Sequence, residues 1–147
     1  LEETMRISLN IDGINPPIAL KGKLDRIDEV DGTTRIIDYK TGKVERKNVE
    51  IISWENLIDD YKYSKAFQLL CYAYMYAQTN PNQPIEAGII SLKNLKEGVL
   101  LFAKKEAPRG PKQTLIDNET LSEFEVVLHN LIREINDSNI PFLEKEV

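Results

Sequence analysis

A chain of 147 residues with 41% hydrophobic content is long enough to bury the core of one compact domain. Its 19 Lys and Arg against 24 Asp and Glu leave a net charge of −5, which excludes a uniformly basic, phosphate-binding surface. A single cysteine excludes a disulfide framework, and no apolar run is long enough to cross a bilayer as a helix.

Met5 to Ile11 alternates apolar and polar residues, which predicts a strand with Met5, Ile7, Leu9 and Ile11 on its buried face. Asn15-Pro16-Pro17 is expected to break it. Ile18 to Val30 and Thr34 to Tyr39 then read as a hairpin, because Asp31-Gly32 lies between two β-rich runs and such a pair supplies the positive φ that a two-residue turn needs. With those two residues as the loop, paired positions sum to 63: Val30 faces Thr33, Asp25 faces Asp38 and Lys23 faces Lys40. A loop of three to five residues shifts that register. Directly opposed like charges weaken a strand pair, so the carboxylates suggest a cation between them, although a metal does nothing for the two lysines. Alternation sets Lys40 on the same face as Asp38.

Val44 to Asp60 is charged and irregular, and is expected to be mobile, with Trp54 favoured as a residue docked on the core. From Tyr61 to Gln78 there is neither Pro nor Gly, and apolar residues recur at Phe67, Leu70, Cys71, Tyr74 and Ala77, which is helical spacing. Gln68 and Tyr72 lie four apart on one face, which Lys65 and Tyr76 extend; both tyrosines also fit plain amphipathic packing. Thr79-Asn80-Pro81 ends the helix. Ile85 to Leu92 and Val99 to Lys104 read as strands joined around Asn94 to Gly98, and Pro108-Arg109-Gly110-Pro111 reads as a loop. Thr120 to Asn136 reads as a last helix through Leu121, Phe124, Leu128, Leu131 and Ile135, capped by Asn118 or Thr120. The fold class is α/β, with a central mixed β-sheet of about five strands flanked by helices and its strand order left open.

Asp25 and the Asp38-x-Lys40 triplet group residue types suited to a divalent metal and a phosphate. Magnesium prefers hard oxygen ligands and keeps several waters, so one or two carboxylates plus a phosphate oxygen make a typical site. Such a metal activates water and neutralises charge building on phosphorus. A lysine two residues after the second carboxylate supplies a compact positive charge for that water or for the transition state.

Gly22-Lys23-Leu24-Asp25-Arg26-Ile27-Asp28 and Ile37-Asp38-Tyr39-Lys40-Thr41-Gly42-Lys43 resemble motifs II and III of the PD-(D/E)XK nuclease superfamily. The likeness is closest to the RecB/AddB-like branch, whose members read roughly G-x-x-D-R-I-D and D-Y-K-T-G. Gln68-Leu69-Leu70-Cys71-Tyr72 fits the Q-x-x-x-Y motif of that branch. Three motifs in order are specific, where a lone D-x-K is not. The resemblance implies a restriction-endonuclease-like core and metal-dependent hydrolysis of DNA by an exonuclease-type module of a helicase–nuclease or recombination and repair protein. It implies Mg2+ or Mn2+ on Asp25, Asp38 and the main-chain carbonyl of Tyr39, with Lys40 as catalytic lysine. Gln68 is placed near that lysine or the DNA, and Tyr72 braces the site or touches the strand, with Arg26 and Lys43 as further DNA contacts.

The family's motif I acid or histidine, from a helix before the first strand, has no counterpart beyond Glu2 and Glu3, and His129 comes too late in the chain. Because the sequence starts with Leu1, the expectation is a single domain over residues 1–147 cut from a longer protein. Many relatives carry a four-cysteine iron–sulfur cluster, which one cysteine cannot form, and Cys71 reads as a small buried hydrophobe. Expected partners are DNA and a helicase domain or partner subunit, with no membrane, in a cytoplasmic setting. Residues 21–47 carry eight Lys or Arg against six acids, so one face remains suited to DNA while residues 113–147, with two against eight, turn away or meet a partner. In such a protein Trp54 has the alternative of stacking on a base, and Lys104, Lys105, Arg109 and Lys112 are either solvated or a DNA-contacting edge. The alternative function is an inactive nuclease-like scaffold that binds DNA or protein.

Overall fold

The computed structural model describes residues 3–59 and 61–137. Strands β1 (Glu3–Ile11) and β2 (Ile14–Leu24) form a long antiparallel hairpin around Asp12-Gly13. The break expected at Asn15-Pro16-Pro17 is therefore corrected, because Pro16 and Pro17 lie within β2. The register shifts there between Leu9 and Ile11, and a bulge in a two-stranded ladder accepts residues that have no N–H to donate.

The chain bends at Asp25 and enters β3 (Arg26–Val30), which pairs antiparallel with β4 (Thr33–Lys40). Asp31 and Gly32 have φ of 52° and 81°, as the two-residue turn requires. Val30 pairs with Thr33 as expected, but the ladder stops at Arg26–Ile37. Asp25 and Asp38 are thus not a ladder pair, and Lys23 pairs with Thr4 of β1, so the expected opposition of Lys23 and Lys40 does not arise.

Residues 44–59, expected to be irregular, contain a 3-10 turn at Arg46–Asn48, strand β5 (Glu50–Ile51) and helix α1 (Trp54–Asp59). Asp60 lies outside the described residues. Val44, Val49, Ile51 and Leu57, at most 4% exposed, anchor this charged stretch to the core. Trp54 docks there as favoured, 6.4 Å from the Phe124 ring, with its indole N–H donating to Glu123 Oε1 at 3.2 Å. A 3-10 turn at Tyr61–Tyr63 leads into α2 (Ser64–Thr79), which ends where Asn80 N–H and Nδ2 both bond to the Tyr76 carbonyl.

Next come β6 (Ile85–Ser91), β7 (Val99–Leu101), β8 (Ala103–Lys105), β9 (Lys112–Gln113) and α3 (Asn118–Asp137). The strand expected over Val99 to Lys104 is split at Phe102, which is fully buried and donates its N–H to the Ala87 carbonyl. The central sheet has the order β3-β4-β6-β7, with β4 and β6 parallel and the outer pairs antiparallel. A second sheet, β5-β8-β9, stands beside it. The expected sheet of about five strands is thus four strands plus two accessory ladders among the described residues.

Helix α2 packs against β6, β4 and the β1–β2 hairpin, and α3 packs against α2. Ile36, Leu69, Leu70, Met75, Ile89 and Phe124 are fully buried between these layers. The cap of α3 is Asp117, whose Oδ1 accepts the Thr120 N–H at 2.8 Å, and neither Asn118 nor Thr120, the two caps expected. Among the described residues no helix is long and apolar enough to cross a membrane.

Candidate active site

Because β3 ends opposite Ile37, the main chain of Tyr39 has no strand partner on that edge. The Asp25 carboxylate takes the place of one, its Oδ2 accepting the Tyr39 N–H at 3.0 Å. On the other edge the Leu92 N–H bonds to the Lys40 carbonyl at 2.8 Å. Main-chain groups alternate along a strand, so the Tyr39 carbonyl faces the same edge as Asp25.

Asp38 and Lys40 lie on the face of β4 that meets α2, with Asp38 only 5% exposed. Lys40 Nζ sits 3.0 Å from Asp38 Oδ2 and donates to Gln68 Oε1 at 2.7 Å. Gln68 Nε2 in turn donates to the Tyr72 hydroxyl at 3.0 Å. The i, i+4 spacing of Gln68 and Tyr72 makes this relay possible from a single helix.

The lysine contact is an ion pair without hydrogen-bond angles, which leaves Asp38 Oδ2 a buried oxygen without a hydrogen bond. Burial pushes the Asp38 carboxyl up to about 6, against the pull of Lys40, and the neighbouring Asp25 carboxylate adds to the rise. Burial and the Asp38 charge likewise push the Tyr72 hydroxyl above the usual phenol range. A buried carboxylate oxygen held only by the Lys40 ion pair, together with a second carboxylate and a main-chain carbonyl that share the neighbouring strand edge, gives hard oxygen donors, a set that fits a divalent cation whose remaining ligands are waters. Among the described residues no group of three or more His, Cys, Asp or Glu gathers at one point. Glu2 and the side chain of Glu3 lie outside the described residues.

Arg26 is elsewhere. Paired with Ile37, it lies on the face opposite Lys40, where it donates to the Tyr39 hydroxyl at 3.1 Å and contacts Asp28 at 2.7 Å. Lys43 lies beyond the end of β4, at the rim of a cleft. The basic edge on β8 and β9 is engaged internally: Lys104 donates to the Ile52 carbonyl, and Lys105 and Lys112 both reach Glu50. Cys71 is fully buried, and His129 is on α3 with its Nε2 buried and unpaired.

Two residues that serve the site had no role assigned from sequence, although Gly22 heads the first of the quoted motifs. Gly22 faces α2, where an added Cβ would lie 2.5 Å from the Met75 methyl and 3.1 Å from the Tyr72 ring, so its lack of a side chain lets Tyr72 approach. Ser91, paired with Lys40 and 1% exposed, donates to the Gly42 carbonyl at 2.7 Å and fixes the strand end.

A mixed sheet that brings two carboxylates and a lysine against one flanking helix defines a nuclease-like α/β domain. The family model for the PD-(D/E)XK nuclease superfamily matches residues 2–146, and the chain belongs to that superfamily. Its members are generally nucleases that act on nucleic acid and typically use divalent metals. Comparison with curated proteins and with solved structures produced no match.

Proposed function

We propose that the domain hydrolyses phosphodiester bonds in DNA with Mg2+ or Mn2+, as an exonuclease-type module of the RecB/AddB-like branch, working with a helicase domain or partner subunit. The observation that carries this reading is the continuous chain Asp38–Lys40–Gln68–Tyr72, with Asp25 on the adjoining edge.

Asp25, Asp38 and the Tyr39 carbonyl are the groups suited to hold the metal. When bound, the metal supplies Lewis acidity toward the phosphate and a lowered pKa for a coordinated water. Lys40 supplies a fixed positive charge at the phosphate or at that water. Gln68 accepts one of its ammonium hydrogens and so points the other two away from α2. Lys40, which can only donate, takes the Gln68 amide oxygen, and this leaves Gln68 Nε2 to donate to the Tyr72 hydroxyl, which steadies the amide from its other end. Burial of Asp38 keeps bulk water from screening these charges.

Asp38→Asn and Lys40→Ala are expected to lose cleavage of single- and double-stranded DNA in Mg2+ or Mn2+, with the circular dichroism of the folded chain retained. Cleavage that persists in both variants overturns the site. A second reading, an inactive scaffold, is favoured by the limit of two carboxylates among the described residues. Calorimetric titration with manganese separates them: no binding at millimolar metal supports the scaffold.

A further inference from the structure

The ends of β4 and β6 are tied together by the Ser91–Gly42 and Leu92–Lys40 hydrogen bonds, which set the two following loops side by side. Between those loops lies a cleft of about 410 Å3 lined by Lys43, Val44, Glu45, Arg46, Asn94 and Glu97. That is within the size range of small-ligand sites. Lys43 is three residues beyond Lys40, so their Cα atoms are at most roughly 11 Å apart, a few nucleotides along a strand.

The lining carries two cations, Lys43 and Arg46, and two acids, of which Glu45 is 3.9 Å from Lys47 outside the lining and Glu97 is 3.9 Å from Arg46, so that Lys43 is the lining cation with no acid set against it in these pairs. Lys43 and Arg46 offer charge to a phosphate. Asn94 opens the 3-10 turn Leu95–Glu97 without capping it through its side chain, which leaves the amide for the donor and acceptor edge of a base. Leu95, 61% exposed beside it, offers apolar surface. Arg46 Nη2 lies 3.9 Å from Glu97 Oε2, and both side chains are half exposed. Pairs of that kind contribute little, so a phosphate able to bond the guanidinium in bidentate fashion displaces Glu97.

Resting on the hydrolase reading above, we infer that this cleft takes one nucleotide unit of the substrate strand, within a few nucleotides of the scissile phosphate. Lys43 and Arg46 bind its phosphate, Asn94 meets its base, and Glu97 competes with the phosphate for Arg46.

The test is metal-free binding of a fluorescent single-stranded deoxyoligonucleotide, followed by anisotropy across a salt series. Arg46→Ala is expected to weaken binding about tenfold and to flatten the log–log salt slope by about 0.7. Glu97→Gln is expected to tighten binding about twofold, because it releases Arg46. Deoxyadenosine monophosphate should compete at lower concentration than inorganic phosphate. If both variants leave binding unchanged, or both weaken it, the pair is only structural and the inference is overturned. Equal competition by inorganic phosphate removes the base contact and overturns it too. Cleavage in Mg2+ keeps the two readings apart, since Arg46→Ala should raise KM with kcat retained. A chain that binds in this pattern but never cleaves sinks the hydrolase reading alone, and one that cleaves without the pattern sinks the cleft alone.

Discussion

Asp38 is an ionised group in a place that disfavours its charge. It is 5% exposed, close to a second carboxylate, and its carboxyl is pushed up to about 6 mainly by burial. Asp38→Asn keeps the shape and removes the charge. In the metal-free chain at pH 7 it is therefore expected to raise stability by about 1–2 kcal/mol while abolishing cleavage, a trade common at functional sites. Urea unfolding in the presence of a chelator reads the first effect; a loss of stability instead would mean that Lys40 fully compensates the charge. Short-range spacing groups Asp38 with Lys40, two apart along β4, and Gln68 with Tyr72, four apart along α2, whereas the joining of these two pairs with Asp25 came only from the resemblance to the nuclease motifs. The bond from Asp25 to the Tyr39 main chain was not legible, since it depends on where β3 stops pairing. Gly22 stood in the quoted motif, but its packing on Tyr72 was not legible, nor was the bond from Ser91 to Gly42, because those partners lie far away in sequence.

Between elements, the approach of β2 to α2 sets the position of Tyr72. Gly22→Val forces the Met75 methyl and the Tyr72 ring aside. The methyl gives way easily, but the ring takes its hydroxyl away from Gln68. The expected outcome is a stability loss of about 1–3 kcal/mol with a disproportionate fall in kcat, whereas Met75→Leu at the same contact spares kcat. The second sheet offers a pH test. Burial alone would raise the Glu50 carboxyl, but Lys112 and Lys105 outweigh it and hold the group below its ordinary range. A carboxyl lowered by folding gives stability that is complete above its ordinary pKa and is lost as the pH falls through it toward the folded value. The sheet β5-β8-β9 should therefore weaken below about pH 4.5. Glu50→Gln is expected to cost about 1 kcal/mol at pH 7, a cost that shrinks as the pH is lowered below about 4.5, read by urea unfolding across that range. Helix α2 and the β3–β4 turn were legible from period and turn chemistry, while the short elements in residues 44–59 were hidden because their four apolar anchors are scattered among charges.

At the scale of the molecule, the parallel pairing of β4 with β6 creates the site, and it joins Lys40 to Ser91 across an intervening helix. Local patterns carry no record of such a pairing, which is why α/β class was legible and strand order was not. Charge distribution is the global property that the sequence does expose. Residues 113–137 hold six acids against Arg133 alone, while residues 21–47 hold eight Lys or Arg against six acids. A chain of net charge −5 therefore approaches a nucleic acid under repulsion from α3 and attraction toward the β4 side. Glu119 and Glu134, both exposed on α3, can be neutralised without touching the core. Glu119→Gln with Glu134→Gln is expected to raise the association rate for a single-stranded oligonucleotide about twofold at low salt and to have almost no effect near 0.5 M, where the Debye length is only about 4 Å. Stopped-flow measurement across that range should show an unchanged dissociation rate, because these residues act through the field and make no contact with the strand. A change confined to dissociation would instead place the strand on α3, away from Asp38, Lys40 and the end of β4.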